Sequence, residues 1–317
     1  MEEQNNVEVV REIADFPARL RGGAIAIGNF DGVHLGHQRL IQRLKHRADS
    51  VGGPALVFTF EPHPVRLLRP EAAPPPLTWT DRKTALLAEY GVDAIIAYRT
   101  DEELLALGAR EFFDQVICRA LGAKALVEGP NFFFGRNREG NVALLQQFCR
   151  QEQISLEIVE PLTIGTEYVS SSRVRDLIRQ GDVAAADELL TRPYRIRGMV
   201  THGDSRGTKI GFPTANLDAI DTILPAEGIY AGRGIADGAV WPAAIHIGPI
   251  PTFGLKTVKV EIHLIGFHGM LYGSVLEVDF LARLREIKPF PSVDALKQQL
   301  AADVAAAADI NRNYRGS

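Results

Sequence analysis

Apolar residues in the first half of the chain fall in short unbroken runs, each followed by a helical pattern. Residues 24–27, 56–60, 94–97, 125–127 and 156–159 are such runs and predict buried strands. Between them, apolar positions recur at helical spacing. Leu40, Ile41 and Leu44 share one face, as do Leu86 and Leu87, Phe112, Phe113, Val116 and Ile117, and Val142, Leu144, Leu145 and Phe148. Thr80 is placed to cap the helix that carries Leu86, and Gly91 to stop it. The proline-rich stretch 70–76 lacks the N–H groups that regular structure needs and reads as an exposed flap. Strand–helix alternation predicts an α/β domain: a parallel sheet with helices on both faces. Its ligand site is expected at the carboxyl ends of the strands, where the strand order reverses.

The pattern changes near residue 190. Alternating runs at 195–200, 258–264 and 275–280, punctuated by Gly and Pro, predict a small antiparallel β-barrel. A closing helix is predicted after Pro291, with Ser292 as N-cap and Val293, Leu296, Leu300 and Val304 as its apolar stripe. The change of character falls around residues 182–193, giving expected domains at 1–186 and 187–317.

Composition narrows the class. With 317 residues, 46 % hydrophobic and 23 % charged, the chain is neither disordered nor fibrous and has material for two cores. A net charge of −4 argues against a nucleic-acid partner, and no protein partner is signalled. Cys118 and Cys149 match no metal spacing or disulfide framework and read as buried small hydrophobes. No apolar run approaches the ~20 residues of a bilayer span. The N-terminus is polar and acidic, so a cytoplasmic protein is expected.

Two polar constellations carry chemistry. After the first strand comes Gly28-Asn29-Phe30-Asp31-Gly32-Val33-His34-Leu35-Gly36-His37. A glycine-rich loop feeding a helix N-terminus directs N–H groups and the helix dipole at an anion. His34 and His37 can donate to phosphoryl oxygens as charge builds. A pair of surface histidines is the plain alternative; zinc lacks further ligands nearby. The second constellation runs from His202 to Asn216 and carries Gly203, Gly207, Lys209, Gly211 and Pro213. Such a tightly shaped backbone can cradle phosphates. Thr214 and Asn216 are two apart and offer hard oxygen ligands that suit Mg²⁺. A hairpin with polar tips is the alternative.

The first string resembles the nucleotidylyltransferase superfamily, whose HxGH element binds ATP phosphates, in the form found in the adenylyltransferase module of bacterial FAD synthetases. Phe60-Glu61-Pro62-His63-Pro64 is similar to that family's FxPHP segment, and Gly129-Pro130-Asn131-Phe132-Phe133-Phe134-Gly135 to its aromatic GxxFxFG loop. Ser170-Ser171-Ser172-Arg173-Val174-Arg175 resembles its second phosphate clamp, with Val169 and Ser172 as mild departures. The second string resembles the riboflavin kinase signature HGDxRGxxxGFPTAN.

These resemblances imply a bifunctional riboflavin kinase and FAD synthetase, with a Rossmann-like nucleotidylyltransferase domain followed by a riboflavin kinase barrel. They imply ATP contacts at Gly28, Phe30, Asp31, Gly36, Ser171, Ser172, Arg173, Arg175, Gly203, Gly207 and Lys209, with His34 and His37 stabilising adenylyl transfer. They imply flavin contacts at His63, Asn131, Phe132 and Phe134, Mg²⁺ at Thr214 and Asn216, and Glu261 as the general base of the kinase. Riboflavin, FMN and ATP are the expected substrates; FMN and FAD appear as substrate or product, not redox cofactor. The chain departs from the kinase pattern at Pro249, Ile250, Gly266 and Met270, which concerns flavin affinity more than reaction class. Two other readings stay open: a different nucleotidylyltransferase with a ligand-binding barrel, and a sensor that has lost turnover.

Overall fold

The computed structural model describes residues 7–14, 16–203, 207, 210–236, 238–249 and 258–315. Contacts divide the chain into two compact units: 1–74 with 80–170, and 75–79 with 171–317.

The first unit is built on six parallel strands: β1 (Glu8–Val10), β2 (Ala24–Ile27), β3 (Ala55–Glu61), β4 (Ala94–Arg99), β5 (Ala125–Glu128) and β6 (Ser155–Ile158), in the order β1-β4-β3-β2-β5-β6. Alternation sorts the side chains onto two faces. Ile25, Ile27, Leu56 and Phe58 pack with Phe112, Phe113, Ile117, Leu145 and Phe148 on one side. Ala24, Ala26, Ala55 and Val57 meet Ile41, Leu44, Leu86 and Leu87 on the other. The alanines let the helix Leu35–Val51 sit close to the sheet. The edge strand β1 was not legible from its sequence; three residues carry no period. A two-strand hairpin, β7 (Thr163–Ile164) with β8 (Glu167–Tyr168), completes this unit.

Thr80 is the first residue of the helix Thr80–Glu89, and its hydroxyl donates to the Glu61 carboxylate. The proline-rich stretch is exposed only in its first half. Residues 75–79 belong to the second unit: the Pro75 carbonyl accepts from Arg175 Nε at 2.8 Å, the Pro76 carbonyl from Ile223 N at 3.0 Å, and Leu77 and Trp79 are buried.

The second unit opens with the helices Ser171–Gln180 and Val183–Leu190 and continues into six antiparallel strands. These are β9 (Tyr194–Thr201), β10 (Ala215–Asp218), β11 (Gly228–Ala236), β12 (Ala239–Pro249), β13 (Val258–Leu264) and β14 (Val275–Arg285). They close into a barrel in the order β10-β13-β12-β11-β14-β9. Tyr194, Ile196, Ile245, Val260, Ile262, Val278 and Phe280 fill it. Buried Asp279 is bridged by Arg195 from β9 and Arg233 from β11. The contact boundary at Ser171 lies before the expected Asp187, because Val183, Ala186, Leu189 and Leu190 are buried with this unit.

The closing helix is Val293–Asn313, capped by Ser292, whose Oγ accepts from Ala295 N at 3.2 Å. Its inward side carries three of the four expected positions, Leu296, Leu300 and Val304, each half-buried. Val293 is exposed, and the fully buried positions are Asp303 and Ala307. Arg285 on β14 holds Asp303 through both carboxylate oxygens, Nε to Oδ1 at 3.0 Å and Nη2 to Oδ2 at 2.7 Å. A polar residue thus takes the centre of an otherwise apolar contact.

Candidate active sites

In the first unit, the chain leaves β2 through a turn with φ of 48° at Phe30, 82° at Gly32 and 42° at Val33. Positive φ at a bulky or β-branched residue costs on the order of 1–3 kcal/mol. Burial of the Phe30 and Val33 side chains in the core offsets it. Phe30, expected near ATP, is therefore a core residue that fixes the backbone; its ring lies 5.1 Å from that of His37.

The turn delivers His34 in an extended conformation as the N-cap of the helix Leu35–Val51. His34 and His37 stack with ring centroids 3.7 Å apart and planes 18° apart. Gly36 makes this possible: a Cβ there would stand 3.1 Å from His34 Cε1 and 3.3 Å from the Val169 carbonyl. The turn therefore brings the expected histidine pair together at a helix N-terminus.

Behind the loop lies a polar group that sequence reasoning missed. Thr59 Oγ1 donates to the Asn29 carbonyl at 3.1 Å and accepts from Lys83 Nζ at 3.1 Å. Burial pushes the Lys83 ammonium below its usual pKa, while Glu61 and Asp31 pull it back. Lys83 thus lends a counter-charge to Asp31, which an anion site otherwise disfavours. Glu128, at the end of β5, accepts from Ile27 N at 2.9 Å. Burial raises its carboxyl well above the ordinary range, against that hydrogen bond. Strand β2 lies between β3 and β5, so Glu128 sits where the strand order reverses.

His63 is fixed by more than its flanking prolines. It caps the helix Pro64–Leu68, its Nδ1 accepting from Val65 N at 3.1 Å. In the aromatic loop Phe134 turns inward among Phe112 and Phe148, held by reciprocal backbone bonds with Gly140. Phe132 stacks on Phe134 at 5.5 Å and is half-buried. Phe133 is exposed beneath the Arg138 guanidinium at 4.4 Å, and Asn131 is exposed. The rings with surface to offer a flat ligand are thus Phe132 and Phe133.

The serine–arginine run begins the helix Ser171–Gln180 in the second unit. Ser172 is exposed, Ser171 and Arg173 are half-buried, and Arg175 is buried with its Nε on the Pro75 carbonyl.

On the barrel, Val260, Ile262 and Leu264 point inward and leave Lys259, Glu261 and His263 on the outer face. The register sets Glu261 opposite Asn216 on β10 and opposite His246 on β12. Glu261 Oε2 is 3.1 Å from His246 Nδ1, and Oε1 is 3.0 Å from Lys259 Nζ. The His246 hydrogen bond, then Lys259, outweigh desolvation and hold the carboxyl down at about 2.

Asn216 is 9 % exposed, and its Oδ1 is buried without a hydrogen-bond partner. Gly203 lies flat against this side chain; a Cβ there would stand 2.0 Å from Asn216 Nδ2. A Cβ at Gly207 would meet the Phe212 carbonyl at 2.2 Å and Thr214 Oγ1 at 3.5 Å. The two expected phosphate-loop glycines therefore fold onto the two expected metal ligands. His202 stacks on Tyr272 at 4.1 Å. Lys209 and Ile250 lie outside the described residues. Among the described residues, no group of three or more His, Cys, Asp or Glu could hold a metal ion.

A parallel sheet bearing an HxGH turn, joined to a closed barrel bearing a PTAN segment, defines a two-module nucleotide-dependent transferase. Residues 16–173 match the FAD synthetase family and residues 190–311 the riboflavin kinase family. The bifunctional riboflavin kinase/FMN adenylyltransferase of Pseudomonas fluorescens is 37 % identical, over 95 % of this chain and 97 % of that protein. The same-named protein of Bacillus subtilis (strain 168) is 33 % identical, over 92 % and 93 %. A solved structure described as a macrolide-efflux protein from Streptococcus pneumoniae shares the fold with a TM-score of 0.84 and 29 % identity, over 97 % of this chain and 99 % of that one. Among the described residues, no helix is long and apolar enough to cross a membrane.

The chain belongs to the bifunctional riboflavin kinase/FMN adenylyltransferase family. It phosphorylates riboflavin to FMN and adenylylates FMN to FAD, with ATP as the second substrate of both reactions.

Proposed function

We propose that the two reactions are divided between the stacked histidines of the first unit and the Asn216–Glu261 row of the barrel. The observation that carries the kinase half is the register: Glu261 stands opposite Asn216, whose buried oxygen lacks a protein partner. Thr214 and Asn216 supply two neutral oxygens, which fits Mg²⁺ held jointly with ATP phosphates and water. Bound there, Mg²⁺ would screen phosphate charge. Gly203 and Gly207 let the loop backbone approach the phosphates. Glu261 takes the proton of the terminal ribityl hydroxyl as its oxygen bonds to the γ-phosphorus and ADP leaves. A carboxyl held at about 2 is ionised throughout the working range but is a weak base. Its help therefore lies in orienting the hydroxyl and receiving the proton late.

Adenylyl transfer needs no base, because the FMN phosphate is already ionised. It attacks the α-phosphorus of ATP, and pyrophosphate leaves. His34 and His37 donate to the phosphoryl oxygens, aided by the helix N-terminus. Ser171, Ser172 and Arg173 are further proposed contacts to ATP phosphate. Gly28, Asp31 and Gly36 shape the loop around the phosphates. Phe132 and Phe133 offer rings to the isoalloxazine, with His63 and Asn131 as polar contacts.

We place the functional boundary between the adenylyltransferase and kinase modules ahead of residue 190, and the enzyme in the cytoplasm. Incubation of the Glu261→Gln variant and of the His34→Ala/His37→Ala variant with riboflavin, ATP and Mg²⁺, followed by chromatography, tests the division. The first is expected to make FAD only from supplied FMN, and the second to stop at FMN. Loss of the same product in both variants would overturn the division.

A further inference from the structure

Glu261 carries the kinase reading above, and the inference here rests on that reading. We infer that His246 is the positioning residue that holds the Glu261 carboxylate in its working orientation.

The barrel register places His246 directly opposite Glu261 on the neighbouring strand, on the outer face. Its Nδ1–H donates to Oε2 at 3.1 Å, while Lys259 takes Oε1 at 3.0 Å. The carboxylate is thus gripped at both oxygens, from two strands, and cannot rotate about its last bond without breaking one contact. Each oxygen keeps a lone pair, so the grip leaves room to accept from a substrate hydroxyl.

The imidazole has room in this position because residue 248 is glycine. Its Nε2 edge lies on the bare backbone of Gly248: a Cβ there would stand only 2.5 Å from Nε2. The row Asn216–Glu261–His246 crosses three adjacent strands, so the proposed metal ligand, the base and its holder share one rigid frame. Lys259 alone would not suffice, because a flexible stem with a point charge gives attraction without direction.

The test is steady-state kinetics of riboflavin phosphorylation by the full chain, with circular dichroism and the thermal melt of each variant as the check that the barrel is folded. His246→Leu keeps the volume and removes the donor. Loss of one hydrogen bond to a charged group should lower kcat about tenfold or more. The KM values for riboflavin and ATP should stay within about twofold, because substrate does not touch the imidazole. His246→Asn restores a donor near the Nδ1 position and should recover most of the rate. In a Glu261→Gln background, His246→Leu should cost nothing further, since its effect passes through the carboxylate. An unchanged kcat in His246→Leu, or an equal proportional loss in the Glu261→Gln background, overturns the inference. If Glu261→Gln alone stays within a few-fold of the parent, the base reading itself falls and takes His246 with it.

Discussion

The two modules handle the same nucleotide with opposite means. In the parallel-sheet unit, backbone defines the proposed site: three positive φ angles, a glycine between two histidines, and a helix N-terminus. In the barrel, the proposed site is a row of side chains across strands, with a carboxylate bonded to a histidine and a lysine. The nucleophiles explain the difference. A phosphate arrives ionised, so its site needs donors for charge that grows on the α-phosphoryl oxygens. A hydroxyl arrives with its proton, so its site needs an acceptor held in one orientation.

The sharpest way to break this comparison is to strip the donors from the first site. Replacing both His34 and His37 by Ala should lower FMN adenylylation about 10³-fold, because one such donor alone is worth 10²–10³. Riboflavin phosphorylation by the same variant should be unchanged. Loss of both activities in a folded protein would show that the modules are not independent.

The reciprocal change is next in size. Glu261→Gln should cut kcat for riboflavin phosphorylation by about a hundredfold, the low end of general-base catalysis because the carboxylate is a weak base. KM values should move little, and FAD synthesis from FMN should persist.

Fragments sharpen where one module ends. A chain beginning at Ser171 retains the Asp182 cap and the buried Val183 and Ala186; one beginning at Asp187 loses all three. Urea melts should show the shorter fragment less stable by about 2–3 kcal/mol, the worth of a buried valine and a cap together. Equal stability would show that residues 171–186 add nothing to the folding of the barrel unit.

The smallest effect separates the modules by pH. The folded pKa of Glu261 is depressed, so its contribution is present above the ordinary value of 4.5 and is lost as pH falls toward about 2. That loss should be on the order of 1–2 kcal/mol in the parent and absent in Glu261→Gln. Glu128 has the opposite sign. Its folded pKa is raised, so its contribution is present below the unfolded pKa and is lost as pH rises toward the folded one. Glu128→Gln should remove that alkaline loss from the first unit, read as thermal inactivation of adenylylation at increasing pH.

Much of this was legible in the chain because period and punctuation are local. The apolar runs fixed five parallel strands, and the alternation at Val260, Ile262 and Leu264 fixed the inward face of β13. What stayed hidden depends on partners far away in sequence. His246 alternates with Ile245 and Ile247 and reads as one more solvent-side residue until β12 is set against β13. Strand β11 escaped notice because Gly228, Gly232 and Gly234 dilute its pattern. A Cβ at Gly232 would stand 2.2 Å from the Asp279 carbonyl, so the residue is glycine for close approach and carries no propensity signal. The closing helix kept its cap and, apart from exposed Val293, its stripe; what the pattern did not show is Asp303, which Arg285 draws into the contact. In the aromatic loop the run of three rings could not say which would turn inward; the Gly140 backbone bonds decide for Phe134.

The brevity of β10 bears on how the barrel breathes. It holds three residue pairs with β13 and three with β9, whereas β11 and β12 share nine. In a closed ring, each strand must part from two neighbours to leave, and β10 has the fewest bonds to part. Sub-global opening therefore concentrates at the seam that carries Asn216. Amide exchange is expected to run ahead of the rest of the barrel there, and a nucleotide held at the proposed Asn216 site would bridge that seam and act as the stitch that closes it.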